Sequence, residues 1–371
     1  MKEIKPLTSL RGFAALAVVL QHFSATAQQL TPQWIPSLVP HGYMAVHFFF
    51  FLSGYIMCLT YLPSFQSDGI RAFPGFLLKR IARIAPLNVF ALTMLMVFGV
   101  TSQVLLGRNI FFDDTSLAFD LPVNMLMLQG LGIGTNLNGP SWSISTEFTA
   151  YFLFPIFILL VFNARRFVSV TAMVLALAAL CSVAFQTARL GLGGMEVGDR
   201  LIETFSEFVL GMGSFILYRY RYNTGWGASD LELGGLIAAA AVGLVAGIDL
   251  PVALLCPFIV VATALNRGFF ARILSGGIPY FLGLVSFSIY LIHDPFRSLG
   301  VLVFHAIHPE PTSAAVALIF ALVGSLVVIP VSWLTYIAIE RPGRQVVRRW
   351  AEMVTNRNPT ATRLSTSDRV L

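Results

Sequence analysis

Arg11 and His22 lie in the first apolar segment of the chain, separated by three turns of a predicted α-helix. Both side chains therefore project from one helix face, about 16 Å apart along the axis at roughly 1.5 Å per residue. An imidazole can take a proton from a hydroxyl group, and a guanidinium can bind a phosphate or polarise a thioester oxygen. The alternatives are a core histidine bonded to a neighbour and an arginine that reaches the cytoplasmic surface. Charged groups are costly in hydrocarbon, so we expect both residues to face a protein interior or a wet cavity.

A basic cluster before Pro86 contains Lys79, Arg80 and Arg83. Arg80 and Arg83 share one helix face because they are three residues apart. Charge-assisted hydrogen bonds from such a cluster suit the phosphates of a nucleotide-like donor. A topology anchor with contacts to anionic lipids is the alternative.

Glu147 and His293 are the remaining candidate site residues. Glu147 falls in the first turn of a predicted helix, where a carboxylate can orient a histidine, bind acceptor hydroxyls or simply stabilise the helix dipole. His293 is placed at about the depth of His22 by counting residues along its helix, which predicts a shared polar pocket. Asp294 and Arg297 follow it at a spacing that predicts an ion pair.

The composition places these residues in a membrane. The chain has 371 residues, of which 56% are hydrophobic and 11% charged, and its mean hydropathy is +0.78. Soluble domains carry about 25% charged residues, so the composition excludes an ordinary soluble enzyme. The net charge of +6 comes from residues at helix ends and indicates topology rather than nucleic-acid binding. Three cysteines in apolar segments and scattered loop histidines (His41, His305 and His308) predict neither a disulfide frame nor a metal site.

The hydrophobic segments predict an all-α bundle of about ten transmembrane helices. We place these spans near 8–27, 43–62, 84–106, 143–162, 168–187, 202–219, 231–248, 251–266, 279–303 and 314–337. Residues 121–133 are apolar but too short to cross. We expect a membrane domain over 1–344 and a disordered cytoplasmic tail over 345–371. The first segment also has some features of a cleavable signal peptide, although its flanking Arg11 and His22 favour a retained helix.

Basic residues fix the orientation of this bundle. Nineteen Lys and Arg residues fall on the side of the N-terminus, whereas only Arg108, Arg189 and Arg200 fall on the other side. The positive-inside rule then puts both termini in the cytoplasm.

Five sequence stretches together resemble the acyltransferase 3 family of integral-membrane O-acyltransferases. The stretches are Thr8 to His22, His47 to Tyr55 with its Ser53-Gly54 pair, Arg80 to Pro86, Trp142 to Glu147, and Ser286 to His293. The resemblance runs from Leu7 to about Arg344. At His47 many members carry Asp, so no role is assigned to it. Some members add a C-terminal extracellular hydrolase-like domain, which we do not expect here.

This resemblance implies transfer of an acyl group, commonly acetyl from cytoplasmic acyl-CoA, to a carbohydrate hydroxyl of an exopolysaccharide, O-antigen or lipo-oligosaccharide. It implies a multi-pass protein of the bacterial inner membrane. His22 would be the general base and Arg11 would bind or polarise the donor. Lys79, Arg80 and Arg83 would hold the CoA phosphates, and Glu147 and His293 would complete the pocket. A transporter of an anion or sugar, with the buried charges along its path, is the competing hypothesis, and a non-enzymatic membrane scaffold is the third.

Overall fold

A computed structural model describes residues 3–32, 39, 41–107, 109, 111, 116–186, 192–193, 196–307 and 312–356. Within these residues the chain is helical and contains no strand, apart from one isolated bridge between Ala228 and Asn266. The predicted all-α fold is therefore confirmed for the part of the chain that the structure describes.

Thirteen α-helices make up this part of the chain. They are α1 (Lys5–Leu30), α2 (Met44–Asp68), α3 (Phe73–Leu106), α4 (Leu117–Met125), α5 (Ser141–Val161), α6 (Arg166–Phe185), α7 (Val197–Asn223), α8 (Asp230–Ala246), α9 (Asp249–Leu265), α10 (Phe269–Leu274), α11 (Gly277–Ile307), α12 (Ala314–Thr335) and α13 (Arg341–Asn356).

Each predicted span overlaps one of the long helices, and the short segment 121–133 overlaps α4 and a 3-10 turn at Gln129–Leu131. By length and composition, five stretches of the described residues are able to cross a membrane. These are Met44–Val104, which combines α2 and α3, together with Ser141–Val161, Arg166–Phe185, Val197–Asn223 and Ala314–Val347. The chain is thus a multi-pass membrane protein, and the number of ten crossings and the side of each terminus stay predictions.

Two pairs of helices cross at glycines that let their backbones approach closely. Gly12 of α1 faces Gly283 of α11, where an added Cβ atom would lie 2.6 Å from the Gly283 nitrogen. Gly54 of α2 faces Phe208 of α7, and Gly211 of α7 faces Phe51 of α2, again with no room for a side chain. Gly54 belongs to the Ser53-Gly54 pair, and the crossing of α1 with α11 joins the helices that carry Arg11, His22 and His293.

The sequence Glu340-Arg341-Pro342 has the composition of a helix end. In the structure the last long helix continues through it. A π-helical turn, Tyr336–Glu340, joins α12 directly to α13. Gly343 of α13 packs against the ring of Pro86 in α3, with no space for a larger residue. Helix α13 therefore continues into the segment 345–371 that we expected to be unstructured, and residues 357–371 of it lie outside the described residues.

Candidate active site

A cavity of about 120 Å³ lies between α1, α2, α3, α5 and α11. Four of the predicted site residues line it, namely Arg11, Arg80, Arg83 and Glu147. They come from three different helices, so the fold unites residues that stand up to 136 positions apart in the chain. Lys79 does not line the cavity, and its ammonium lies 5.9 Å from the centre of the Tyr61 ring.

Glu147 accepts two hydrogen bonds inside this cavity. Its Oε1 atom is 2.5 Å from the Ser53 hydroxyl and 2.5 Å from the Tyr151 hydroxyl, one helical turn further along α5. Because Ser53 donates to this carboxylate, its hydroxyl serves the architecture of the cavity wall. Charged acceptors make the stronger hydrogen bonds, so both donors are held firmly.

Two of the three arginines of the cavity, Arg80 and Arg83, are held by aromatic rings. Arg80 donates to the Tyr61 hydroxyl at 2.6 Å, and its guanidinium lies 5.0 Å from the centre of that ring. Arg83 lies 5.7 Å from the Phe287 ring centre. Cation–π contacts orient a guanidinium without neutralising its charge. Within the described residues, no carboxylate lies within salt-bridge distance of Arg11, Arg80 or Arg83. The cavity is consequently suited to an anion.

His22 and His293 form a second group, outside this cavity. The Nδ1 atom of His22 lies 2.8 Å from Nε2 of His293, so the two histidines predicted to share a depth are in direct contact. His293 is completely buried, whereas His22 is partly exposed.

The hydrogen bonds of this pair determine where its protons are. His293 Nδ1 lies 2.7 Å from the Tyr290 carbonyl oxygen and 3.2 Å from that of Ile289, so Nδ1 must carry a proton to donate. Nε2 of a neutral His293 is then an acceptor, and Nδ1 of His22 must donate to it. The Nε2 atom of His22 is left with its lone pair available, which is the state required of a general base.

An ion pair flanks the histidines. Arg297 and Asp294 are 2.6 Å apart, as their spacing predicts, and Arg297 also donates to the Thr26 hydroxyl at 2.8 Å. The Thr26 hydroxyl in turn donates to the carbonyl oxygen of His22, which lies one turn earlier on α1. The Gly139 amide donates to Asp294 at 3.2 Å. This network fixes α1 against α11 beside the histidine pair.

Tyr290 connects the two groups. Its ring lines the cavity, its hydroxyl lies 2.7 Å from the Ser143 hydroxyl, and its carbonyl oxygen accepts the proton of His293. The cavity and the histidine pair therefore occupy adjacent turns of α11.

Several residues of this region gave little signal in the sequence. Tyr61 and Tyr151 look like ordinary core aromatics within apolar helices, and only their contacts with Arg80 and Glu147 reveal a polar role. His47 is buried and bonded to Glu207, with 2.8 Å between Nδ1 and Oε1. Among the described residues, no group of three His, Cys, Asp or Glu side chains is arranged to hold a metal ion. His308 and the side chain of His305 lie outside the described residues.

Comparison with known proteins resolves the family. The profile of the acyltransferase domain family, acyltransferase 3, matches residues 5–337. The chain belongs to the acyltransferase 3 family. It is therefore an acyltransferase, and the named relatives support an O-acetyltransferase type of enzyme.

The similar proteins align with different fractions of this chain. Acyltransferase MdmB of Streptomyces mycarofaciens is 28% identical over 318 residues, which is 78% of each chain. The putative peptidoglycan O-acetyltransferase YrhL of Bacillus subtilis (strain 168) is 26% identical over 198 residues, which is 52% of this chain but 30% of YrhL. Protein 2 in the picA locus of Rhizobium radiobacter is 32% identical over 155 residues, 38% of this chain and 75% of that protein. No solved structure matches the chain.

Proposed function

We propose that this acyltransferase moves an acetyl group from acyl-CoA to a hydroxyl of an exported or cell-surface carbohydrate. The observation that carries the proposal is the free lone pair of His22 Nε2 next to a cavity rich in arginine. One group is poised to take a proton and the other to hold an anionic donor. The relative named as a putative peptidoglycan O-acetyltransferase supports a carbohydrate acceptor.

The acyl-CoA donor binds at the arginines of the cavity. Arg80 and Arg83 hold phosphates of acyl-CoA, Lys79 adds positive charge beside them, and Arg11 binds the donor on the face of α1 that carries His22 three turns further on. Pockets for drug-sized ligands have volumes of about 300–1,000 Å³, so the smaller cavity described here takes only part of the donor. Glu147 shapes its wall through Ser53 and Tyr151.

The chemical step is a direct transfer. The acceptor hydroxyl loses its proton to Nε2 of His22 as its oxygen bonds to the thioester carbonyl carbon. The carbon–sulfur bond then breaks, and the imidazolium returns the proton to the departing sulfur to give CoA thiol. His293 acts as a positioning residue, because its bond to His22 Nδ1 keeps the Nε2 lone pair free.

The orientation follows from the basic residues. With both termini in the cytoplasm, Arg80 and Arg83 near the start of α3 face the cytoplasmic acyl-CoA, and His22 lies towards the opposite end of α1. The protein then belongs in the bacterial inner membrane. Labelling tests this: in a chain without its native cysteines, Ala164→Cys should react only after the membrane is opened. Ser116→Cys should react from outside, and the reverse pattern would contradict the orientation.

The activity is tested with the purified chain in lipid nanodiscs. Labelled acetyl-CoA and candidate glycans are incubated with it, and mass spectrometry reads the acceptor. A gain of one acetyl group with release of CoA thiol is the expected result. Movement of a glycan or anion across vesicles without consumption of acetyl-CoA would favour the transporter instead.

A further inference from the structure

Arg344, at the start of α13, extends the charge of the cavity although it does not line it. The positive charges of Arg83, Arg11 and Arg80 act on it within the same region. Two contacts with neighbouring helices fix the segment that carries it, and an ion pair lies within it. Arg344 forms an ion pair with Glu340, Ser288 of α11 donates to the other oxygen of Glu340 at 2.6 Å, and Gly343 packs against Pro86 of α3.

The π-helical turn at Tyr336–Glu340 makes these contacts possible. It keeps the chain helical past Glu340, so that Glu340 and Arg344 lie one turn apart and pair. Glu340 is almost completely buried against α11. A single π turn inserted in a long helix is rare and is frequently found at functional sites.

The charges of this cluster do not balance. Among the described residues, the guanidinium groups of Arg11, Arg80, Arg83 and Arg344 have two carboxylates near them, Glu147 in the cavity wall and Glu340, which pairs with Arg344. The excess of two positive charges in a buried region is unfavourable unless an anion joins it. In addition, the Nε atoms of Arg80 and Arg344 are buried without a hydrogen-bond partner among the described residues. A phosphate monoester carries a charge of about −1.5 to −2 at neutral pH and offers several acceptor oxygens.

We propose that the junction of α12 and α13 is a further wall of the donor site, where Arg344 binds a phosphate group of the acyl donor and Glu340 is the positioning residue that holds Arg344 there. This rests on the proposed function, since it takes the arginine cavity as the donor site. The ligand chemistry is a phosphate carried by a nucleotide-like thioester.

Binding measurements separate this role from a structural one. The full chain in nanodiscs is titrated with CoA, which carries phosphates, and with S-acetylpantetheine, which has none. Arg344→Ala should raise the dissociation constant for CoA by about tenfold to a hundredfold, the usual range for a lost charged hydrogen bond, and leave that for S-acetylpantetheine unchanged. Arg341→Ala, on the exposed side of the same helix start, is the matched control and should bind both compounds as the native chain does.

Two conservative variants complete the test. Arg344→Lys keeps the charge but loses the planar fork, so its CoA affinity should fall between those of the native chain and Arg344→Ala. It also carries the test if Arg344→Ala does not fold. Glu340→Gln should raise the Michaelis constant for acetyl-CoA while leaving kcat and the binding of S-acetylpantetheine unchanged, which a purely structural role would not do.

The outcomes distinguish this inference from the proposed function. If Arg83→Ala weakens CoA binding but Arg344→Ala and Arg344→Lys do not, Arg344 only anchors α13, and the donor site stands without it. If none of the three variants weakens CoA binding, the arginine cavity is not the donor site. An equal loss for CoA and S-acetylpantetheine would also overturn the role of Arg344 in phosphate binding.

Discussion

The arginine cavity and the histidine pair differ in how well their polar groups are satisfied. At the histidine pair, the two imidazoles bond to each other, His293 bonds to a backbone carbonyl, and Arg297 is neutralised by Asp294. In the cavity, the guanidinium groups of Arg80 and Arg83 pack on aromatic rings, and neither these nor Arg11 has a carboxylate in salt-bridge distance among the described residues. A satisfied network fixes geometry, and an unbalanced one attracts a ligand. The two regions therefore suit different tasks, proton transfer in one and anion binding in the other.

The largest effect should come from removing the free imidazole. His22→Ala should insert and fold, yet lose acetyl transfer by about 10²–10⁴-fold, the usual contribution of a general base. CoA release and acceptor acetylation are measured together, while CoA binding should stay near the native value because His22 does not line the cavity. His41→Ala, a histidine in no contact with this pair, is the control. Near-normal transfer by His22→Ala would move the base to His293 or Glu147.

Variants of the cavity should instead change the affinity for the donor more than the rate of transfer. Arg80→Ala combined with Arg83→Ala should raise the Michaelis constant for acetyl-CoA by about a hundredfold, since each loses charged hydrogen bonds to the donor. The kcat at saturating donor should change far less. Arg71→Ala, an exposed arginine just before α3, is the matched control and should keep the native constant. A double variant with native donor affinity would reduce the cluster to a topology anchor.

The sequence predicts the helices and names most residues of the candidate site, but it does not predict their division into two regions. Residue spacing brings Arg11 and His22 to one face, and counting along helices puts His22 and His293 at one depth. Neither argument predicts the direct contact between His22 and His293, because that contact depends on the rotation of α11 about its axis. The sequence also does not predict that Arg344 lies near the cavity, because Glu340-Arg341-Pro342 just before it has the composition of a helix end. The π turn that overrides this signal is stabilised by tertiary contacts with Ser288 and Pro86.

A smaller effect is expected from changing the partner of the base. His293→Leu removes the acceptor for His22 Nδ1 and should lower kcat by about tenfold to a hundredfold, as loss of a positioning partner commonly does. His293→Gln offers an amide oxygen to His22 and an amide nitrogen to the Tyr290 carbonyl, so it should retain several times more activity than His293→Leu. Donor affinity should be native in both variants. If both lose activity as completely as His22→Ala, His293 itself takes part in proton transfer.

The smallest effect concerns Tyr290, the residue that touches both regions. Tyr290→Phe keeps the ring and the carbonyl that orients His293, and removes only the hydroxyl, which bonds to Ser143 at 2.7 Å and lies 3.3 Å from the Pro140 carbonyl oxygen. Ser143 still donates to the Pro140 carbonyl, so the cost in stability should be about 0.5–3 kcal/mol, the net value of one to two hydrogen bonds. If the two regions act separately, this variant changes neither kcat nor donor affinity by more than a few-fold. A double-mutant cycle with His293→Gln then gives additive effects on kcat. Strong non-additivity would mean that the Tyr290 hydroxyl couples donor binding to the base, and the division into two regions would have to be abandoned.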